Sequence, residues 1–227
     1  MATFVICHGA WSAGWAWKKI RPRLQAAGHT IFTPSYTGLG ERAHLTSPQV
    51  NLETHIADIL GVIQAEGLTD ITLLGHSYGG MVATGVADRA APLIRHLIYL
   101  DAFVPTHNQS LDDLTGRTTT GDIAGWLVSP MPSAPDTSPD DIEWTKPRRM
   151  PQPAGCFTQK LALTGASETL RRTYIHCSKK IGHDTFAQFR DRLAGNPAWG
   201  FIDMPESHSP NITAPDALAA ILLSLAE

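Results

Sequence analysis

The chain is short of cysteine, of net charge and of long apolar runs, and each shortage removes a class of protein. Its three cysteines, Cys7, Cys156 and Cys177, are an odd set without metal-ligand spacing. Reduced thiols in a cytoplasmic protein are therefore expected rather than a disulfide framework. The formal charge is only -3, from 18 basic and 21 acidic residues with scattered signs, so no basic stripe awaits a nucleic acid or an anionic membrane surface. No stretch reaches transmembrane length, and the opening Phe4-Val5-Ile6-Cys7 has neither the charged lead nor the long apolar run of a secretory signal. H-x-x-x-H and C-x-x-C spacings are missing too, so no metal site and no cofactor is expected. What remains is a chain of 227 residues, 43% hydrophobic, long enough for one sizeable core and directed by default to small molecules. Whether two copies pair as a homodimer stays open.

Apolar runs that read as strands alternate with segments of helical period. Strands are expected at Thr3 to Cys7, His29 to Thr33, Asp70 to Leu74, Leu93 to Leu100, Arg172 to Cys177 and Ala198 to Asp203. Helices are expected at Trp15 to Ala27, Asn51 to Glu66, Tyr78 to Ala91, Asp184 to Leu193 and Thr213 to Ala226. Strands separated by helices predict an α/β fold with a doubly wound, mostly parallel sheet of about six strands. The alternation fails from Phe103 to Thr169, where Gly, Pro, Thr and Asp accumulate. This predicts a core of residues 1–102 and 170–227 and an inserted cap at 103–169.

The strongest local signal is Gly75-His76-Ser77-Tyr78-Gly79, a G-x-S-x-G pattern between a strand and a helix. A strand that turns so tightly into a helix presents Ser77 in a strained conformation and leaves no room for side chains at Gly75 and Gly79. A serine hydroxyl is a weak nucleophile at neutral pH and needs a neighbouring base, for which histidine titrates in the right range.

Together with His8-Gly9-Ala10-Trp11 after the first strand and His208 after the last, this pattern resembles the α/β-hydrolase superfamily. The stretches FVICHGAW and GHSYGGM are similar to the branch of plant methyl-ester esterases and hydroxynitrile lyases. The resemblance implies a catalytic serine at Ser77, its base at His208, and an oxyanion hole from the backbone N–H groups of Ala10 and Tyr78. His8 and His76 are expected to organise backbone instead. The implied function is that of a serine carboxylesterase, which cleaves a small-molecule ester through an acyl-enzyme. The lyases carry threonine at the position of Gly9 and lysine at that of Ser209, so both departures point away from cyanide chemistry. A non-catalytic ligand receptor on the same fold is the other alternative.

The triad acid departs from the family pattern. The related esterases place an aspartate three residues after the cysteine of the penultimate strand, where this chain has Lys180. A lysine cannot accept the imidazole N–H. Asp101, at the end of the strand expected beside that of Ser77, is the favoured acid. Asp184, which also suits a helix cap, comes next, followed by Asp203 and Glu206. Trp11, Phe103, Trp126 and Trp144 are expected to wall an apolar pocket at the carboxyl edge of the sheet, although Trp126 and Trp144 could equally form a small core of the cap.

Overall fold

Near-continuous apolar runs become strands covered on both faces, because neither face then needs to meet water. In the computed structural model, which describes residues 1–135 and 137–226, three such runs form the centre of the sheet. They are β1 (Thr3–Cys7), β3 (Ile71–His76) and β4 (Ile94–Leu100). With β2 (Thr30–Phe32), β7 (Arg171–Cys177) and β8 (Gly200–Met204) they make a six-stranded sheet in the order β2-β1-β3-β4-β7-β8, parallel at every pairing.

Helices return the chain between strands. On one face, α2 (Leu52–Ala65), α3 (Gly79–Arg89) and α7 (Ala187–Leu193) bury Leu52, Ile56, Val82, Val86, Phe189 and Leu193 against the sheet. On the other, α1 (Arg21–Ala26) and α9 (Pro215–Leu225) bury Leu24, Leu218 and Leu222 beside Trp17 and Ile20. The chain leaves β1 for β2 on one side and returns to β3 on the other. The carboxyl ends of β1 and β3 therefore flank the switch point where open α/β sheets bind ligands.

Local chemistry moved some helix starts. The helix expected over Trp15 to Ala27 is a 3-10 turn at Gly14–Trp17 followed by α1, because Pro22 has no N–H to continue a helix and is tolerated only in a first turn. Pro215 likewise starts α9 afresh after the short α8 (Pro210–Thr213). Asp184 lies before α7, where its Oδ1 accepts the Phe186 N–H at 2.9 Å. Among its described residues, the stretch expected to be irregular holds short elements: α4 (Leu111–Thr115), α5 (Pro139–Thr145), α6 (Gly155–Thr158), 3-10 turns at Lys146–Arg148 and Ala166–Thr169, and an antiparallel pair of β5 (Leu127–Val128) and β6 (Gln152–Pro153).

Candidate active site

β3 ends in His76 and α3 begins at Gly79, which leaves two residues for the whole reversal. Ser77 takes φ +56°, a left-handed conformation that a residue with a side chain adopts only under constraint. The constraint comes from the neighbouring strand: the Ser77 N–H donates to the Leu100 carbonyl at 3.3 Å, and the Phe103 N–H donates to the Ser77 carbonyl at 3.2 Å. A Cβ on Gly79 would lie 2.0 Å from the Cys7 carbonyl oxygen, and one on Gly75 would lie 2.6 Å from that of Gly79. Both positions therefore exclude any larger residue.

Asp101 follows β4 directly, with φ +42° and its N–H donated to the Ile175 carbonyl at 2.7 Å. It is fully buried, and three donors meet its carboxylate. His208 Nδ1 lies 2.6 Å and Lys180 Nζ 2.5 Å from Oδ2, while Oδ1 accepts the Cys177 N–H at 3.2 Å. Burial pushes this carboxyl up, but His208 and Lys180 outweigh it and hold the group below the usual carboxylate range. With Nδ1 donating to a carboxylate, the neutral His208 ring keeps its lone pair on Nε2.

The His208 ring and its backbone each have a further partner. Phe186 stacks on the ring at 4.9 Å and 13°, and His76 Nε2 donates to the His208 carbonyl at 2.8 Å. Burial, with the nearby His208, pulls the His76 imidazole down to about 3, so it stays neutral. His8 is held in the same way: Nδ1 donates to the Gly9 carbonyl at 2.9 Å and Nε2 accepts the Tyr36 N–H at 3.3 Å. The other acid candidates point elsewhere. Asp184 lies 3.3 Å from His176 Nε2 and 3.5 Å from Lys180 Nζ, and Asp203 accepts the Ser178 hydroxyl at 2.8 Å. Among the described residues, the carboxylate bonded to His208 is that of Asp101.

A cavity of about 410 Å3 opens where these groups meet, and Ser77, His208, Ala10 and Tyr78 all line it. The N–H groups of Ala10 and Tyr78 donate to no acceptor among the described residues. Trp11, Phe103, Leu111 and Phe157 supply apolar wall. Trp11 sits at φ +55°, its N–H donated to Gln152 Oε1 at 2.8 Å and its indole N–H to the Val128 carbonyl at 3.0 Å. The loop after β1 is thus tied to the β5–β6 pair.

Trp126 and Trp144 lie outside this wall, contrary to the expectation from sequence. Trp144, on α5, packs edge-on against Trp15 at 5.4 Å with the Lys19 ammonium 5.4 Å over its ring. Trp126 is half-buried, and its carbonyl accepts the N–H of Ala154, the residue after β6, at 2.8 Å. Sequence reading missed Gln152 and Phe157, which lie in a stretch without periodicity, and Phe186, which lies at the start of an expected helix. It named Lys180 only as an unsuitable acid. No group of three or more His, Cys, Asp or Glu among the described residues could hold a metal ion, and no described helix is long and apolar enough to cross a membrane.

Comparison with known proteins agrees with this architecture. The alpha/beta hydrolase family matches residues 4–221. A carbendazim hydrolyzing esterase from Nocardioides sp. (strain SG-4G) is 38% identical over 241 residues, spanning 99% of this chain and 100% of its own. Salicylic acid-binding protein 2 of Nicotiana tabacum is 29% identical over 110 residues, 47% of this chain and 42% of its own. An extracellular alpha/beta-hydrolase structure from a Paenibacillus species covers 100% of both chains with a TM-score of 0.83 at 22% identity, a likeness of fold. With the family pattern running through the sheet and the elbow alike, the chain belongs to the alpha/beta hydrolase family.

Proposed function

We propose that the chain is a serine esterase that cleaves small apolar or aromatic carboxylic esters through an acyl-enzyme. The observation that carries this reading is the convergence of Ser77, at its strained turn, and His208, bonded to buried Asp101, on one cavity. His208 removes the Ser77 proton as the hydroxyl attacks the ester carbonyl, and Asp101 steadies the imidazolium that forms. The N–H groups of Ala10 and Tyr78 receive the oxyanion, and losing one such donor typically costs about 100- to 1000-fold in rate. His208 then protonates the leaving alcohol and activates the water that frees the acid.

Residues 103–169 act as the cap over this site and supply Leu111 and Phe157 to its apolar wall. Because the full-length Nocardioides relative is a carbendazim hydrolyzing esterase, carbendazim belongs beside simple esters in a substrate screen. The cyanide-lyase reading is disfavoured by space as well as by sequence: a Cβ on Gly9 would lie 3.2 Å from both Ser77 Cβ and His76 Nδ1, so a threonine there is crowded. The three thiols are free and buried, which fits a reducing, cytoplasmic setting.

The test is turnover of p-nitrophenyl acetate by the wild type and by Ser77→Ala. Loss on the order of 10,000-fold or more in kcat/KM is expected. Activity retained by the variant, or an inert wild type that binds a small aromatic ligand tightly, would contradict the esterase.

A further inference from the structure

The geometry points to Lys180 as a positioning residue that sets the lower pH limit of ester hydrolysis, by sharing with His208 a single oxygen of Asp101. The inference rests on the esterase reading above. Lys180 Nζ is 2.5 Å from Asp101 Oδ2, and His208 Nδ1 is 2.6 Å from that same atom. The side chains of Lys180 and Asp101 are 15% and 0% exposed, so little water screens the exchange. A lone carboxylate at His208 would favour the imidazolium and hold the proton on the ring to higher pH. A cation on the same oxygen takes up part of that charge. The base therefore becomes available at lower pH, while Asp101 still orients the ring.

Asp184 works in the opposite sense. Its Oδ1 is 3.5 Å from Lys180 Nζ and its Oδ2 is 3.3 Å from His176 Nε2, so it draws on the lysine from the far side. Other groups packed around the pair come from several elements. From β7, His176 Nδ1 lies 3.6 Å from Asp101 Oδ1 and the Cys177 N–H bonds to that oxygen. From the end of β3, His76 faces His208 with ring centres 4.9 Å apart. From the loop after β7, Phe186 covers the His208 ring and lies 5.1 Å under the lysine ammonium. Within the loop of His208, the Glu206 carbonyl accepts the Lys179 N–H at 3.1 Å, while beside it Asp203 is bonded to the Ser178 hydroxyl. Lys180 is thus the cation in direct contact with the carboxylate that His208 uses.

The test is the pH profile of kcat/KM on p-nitrophenyl acetate, which does not itself titrate. In Lys180→Met the acid limb should move up by about one pH unit, with the high-pH plateau kept within roughly tenfold. Lys180→Arg should hold the limb near its wild-type position, and Asp184→Asn should move it down, since the lysine charge then acts undivided on Asp101. A limb that stays put in Lys180→Met, or a uniform loss at every pH, would overturn the role of Lys180. Should Lys180→Met not fold, an unmoved or raised limb in Asp184→Asn overturns it instead. Failure of the esterase reading is distinct, because it appears as an inert wild type or an active Ser77→Ala.

Discussion

The strand ends that carry Ser77 and Asp101 and the stretch 103–169, proposed above as their cap, are held by different means. At the strand ends, backbone bonds to the neighbouring strand fix the geometry: Ser77 to Leu100 and Asp101 to Ile175. Among its described residues the covering stretch has a single two-residue strand pair, and beyond a few backbone bonds, such as those of the Phe103 N–H to Ser77 and the Met150 N–H to Trp11, it is tied down by scattered side chains. Gln152 accepts from Trp11, Lys19 reaches Asp141 at 2.7 Å, and Asp88 accepts the N–H groups of Thr164 and Gly165. Backbone bonds tolerate sequence change, whereas side-chain ties depend on each residue. The geometry at the strand ends therefore depends less on particular side chains than that of residues 103–169.

That contrast breaks if changes in the cover cost as much as changes at the strand ends. Ser77→Ala, at a strand end, should cause the largest loss of activity, on the order of 10,000-fold or more. Gln152→Ala frees the Trp11 N–H and loosens the loop that carries the Ala10 N–H. A fall in kcat on the order of tenfold is expected in steady-state kinetics, since the donor is displaced rather than removed. Trp144→Ala, on the outer side of the cover, should leave kcat/KM within about twofold. A larger loss would show that Trp144 acts on the cavity through α5.

Acid should also weigh on the buried imidazoles of the core. Burial pulls the imidazoles of His8 and His96 down to about 4, and those of His55 and His76 to about 3, from an ordinary 6.5. All four belong to the sheet, its loops or α2, while His107, in the covering stretch, is exposed. The unfolded chain takes up protons at these four sites below pH 6.5 and the folded chain does not, so their contribution to stability is full above pH 6.5 and drains as pH falls toward 4. Urea midpoints measured from pH 7 to pH 4 should fall steadily.

How much of this could be read from sequence follows the same division. Thr3 to Cys7 and the runs around Leu74 and Ile98 announce buried parallel strands, and Ser77 announces its turn through the glycines on either side. The meeting of Asp101 with His208 was approachable because neighbouring strands bring their ends together and because Lys180 could not serve. The ion pair between Lys180 and Asp101 was not legible, since it depends on the register that sets Leu100 opposite Ile175. Gln152 and Phe157 were hidden for another reason: their stretch has no period, so nothing in the pattern says which side chain turns inward. Trp144 was misplaced because an aromatic residue in a short helix gives no sign of which neighbour it packs against, and here that neighbour is Trp15.

The central claim is that Asp101, from the strand beside Ser77, is the carboxylate that works with His208. The most direct measurement is kcat/KM on p-nitrophenyl acetate for Asp101→Asn and Asp184→Asn, each at its high-pH plateau. Asp101→Asn should lose on the order of 1,000- to 10,000-fold, as expected when the imidazole loses its orienting anion, and Asp184→Asn less than about tenfold. The reverse ranking would contradict the account.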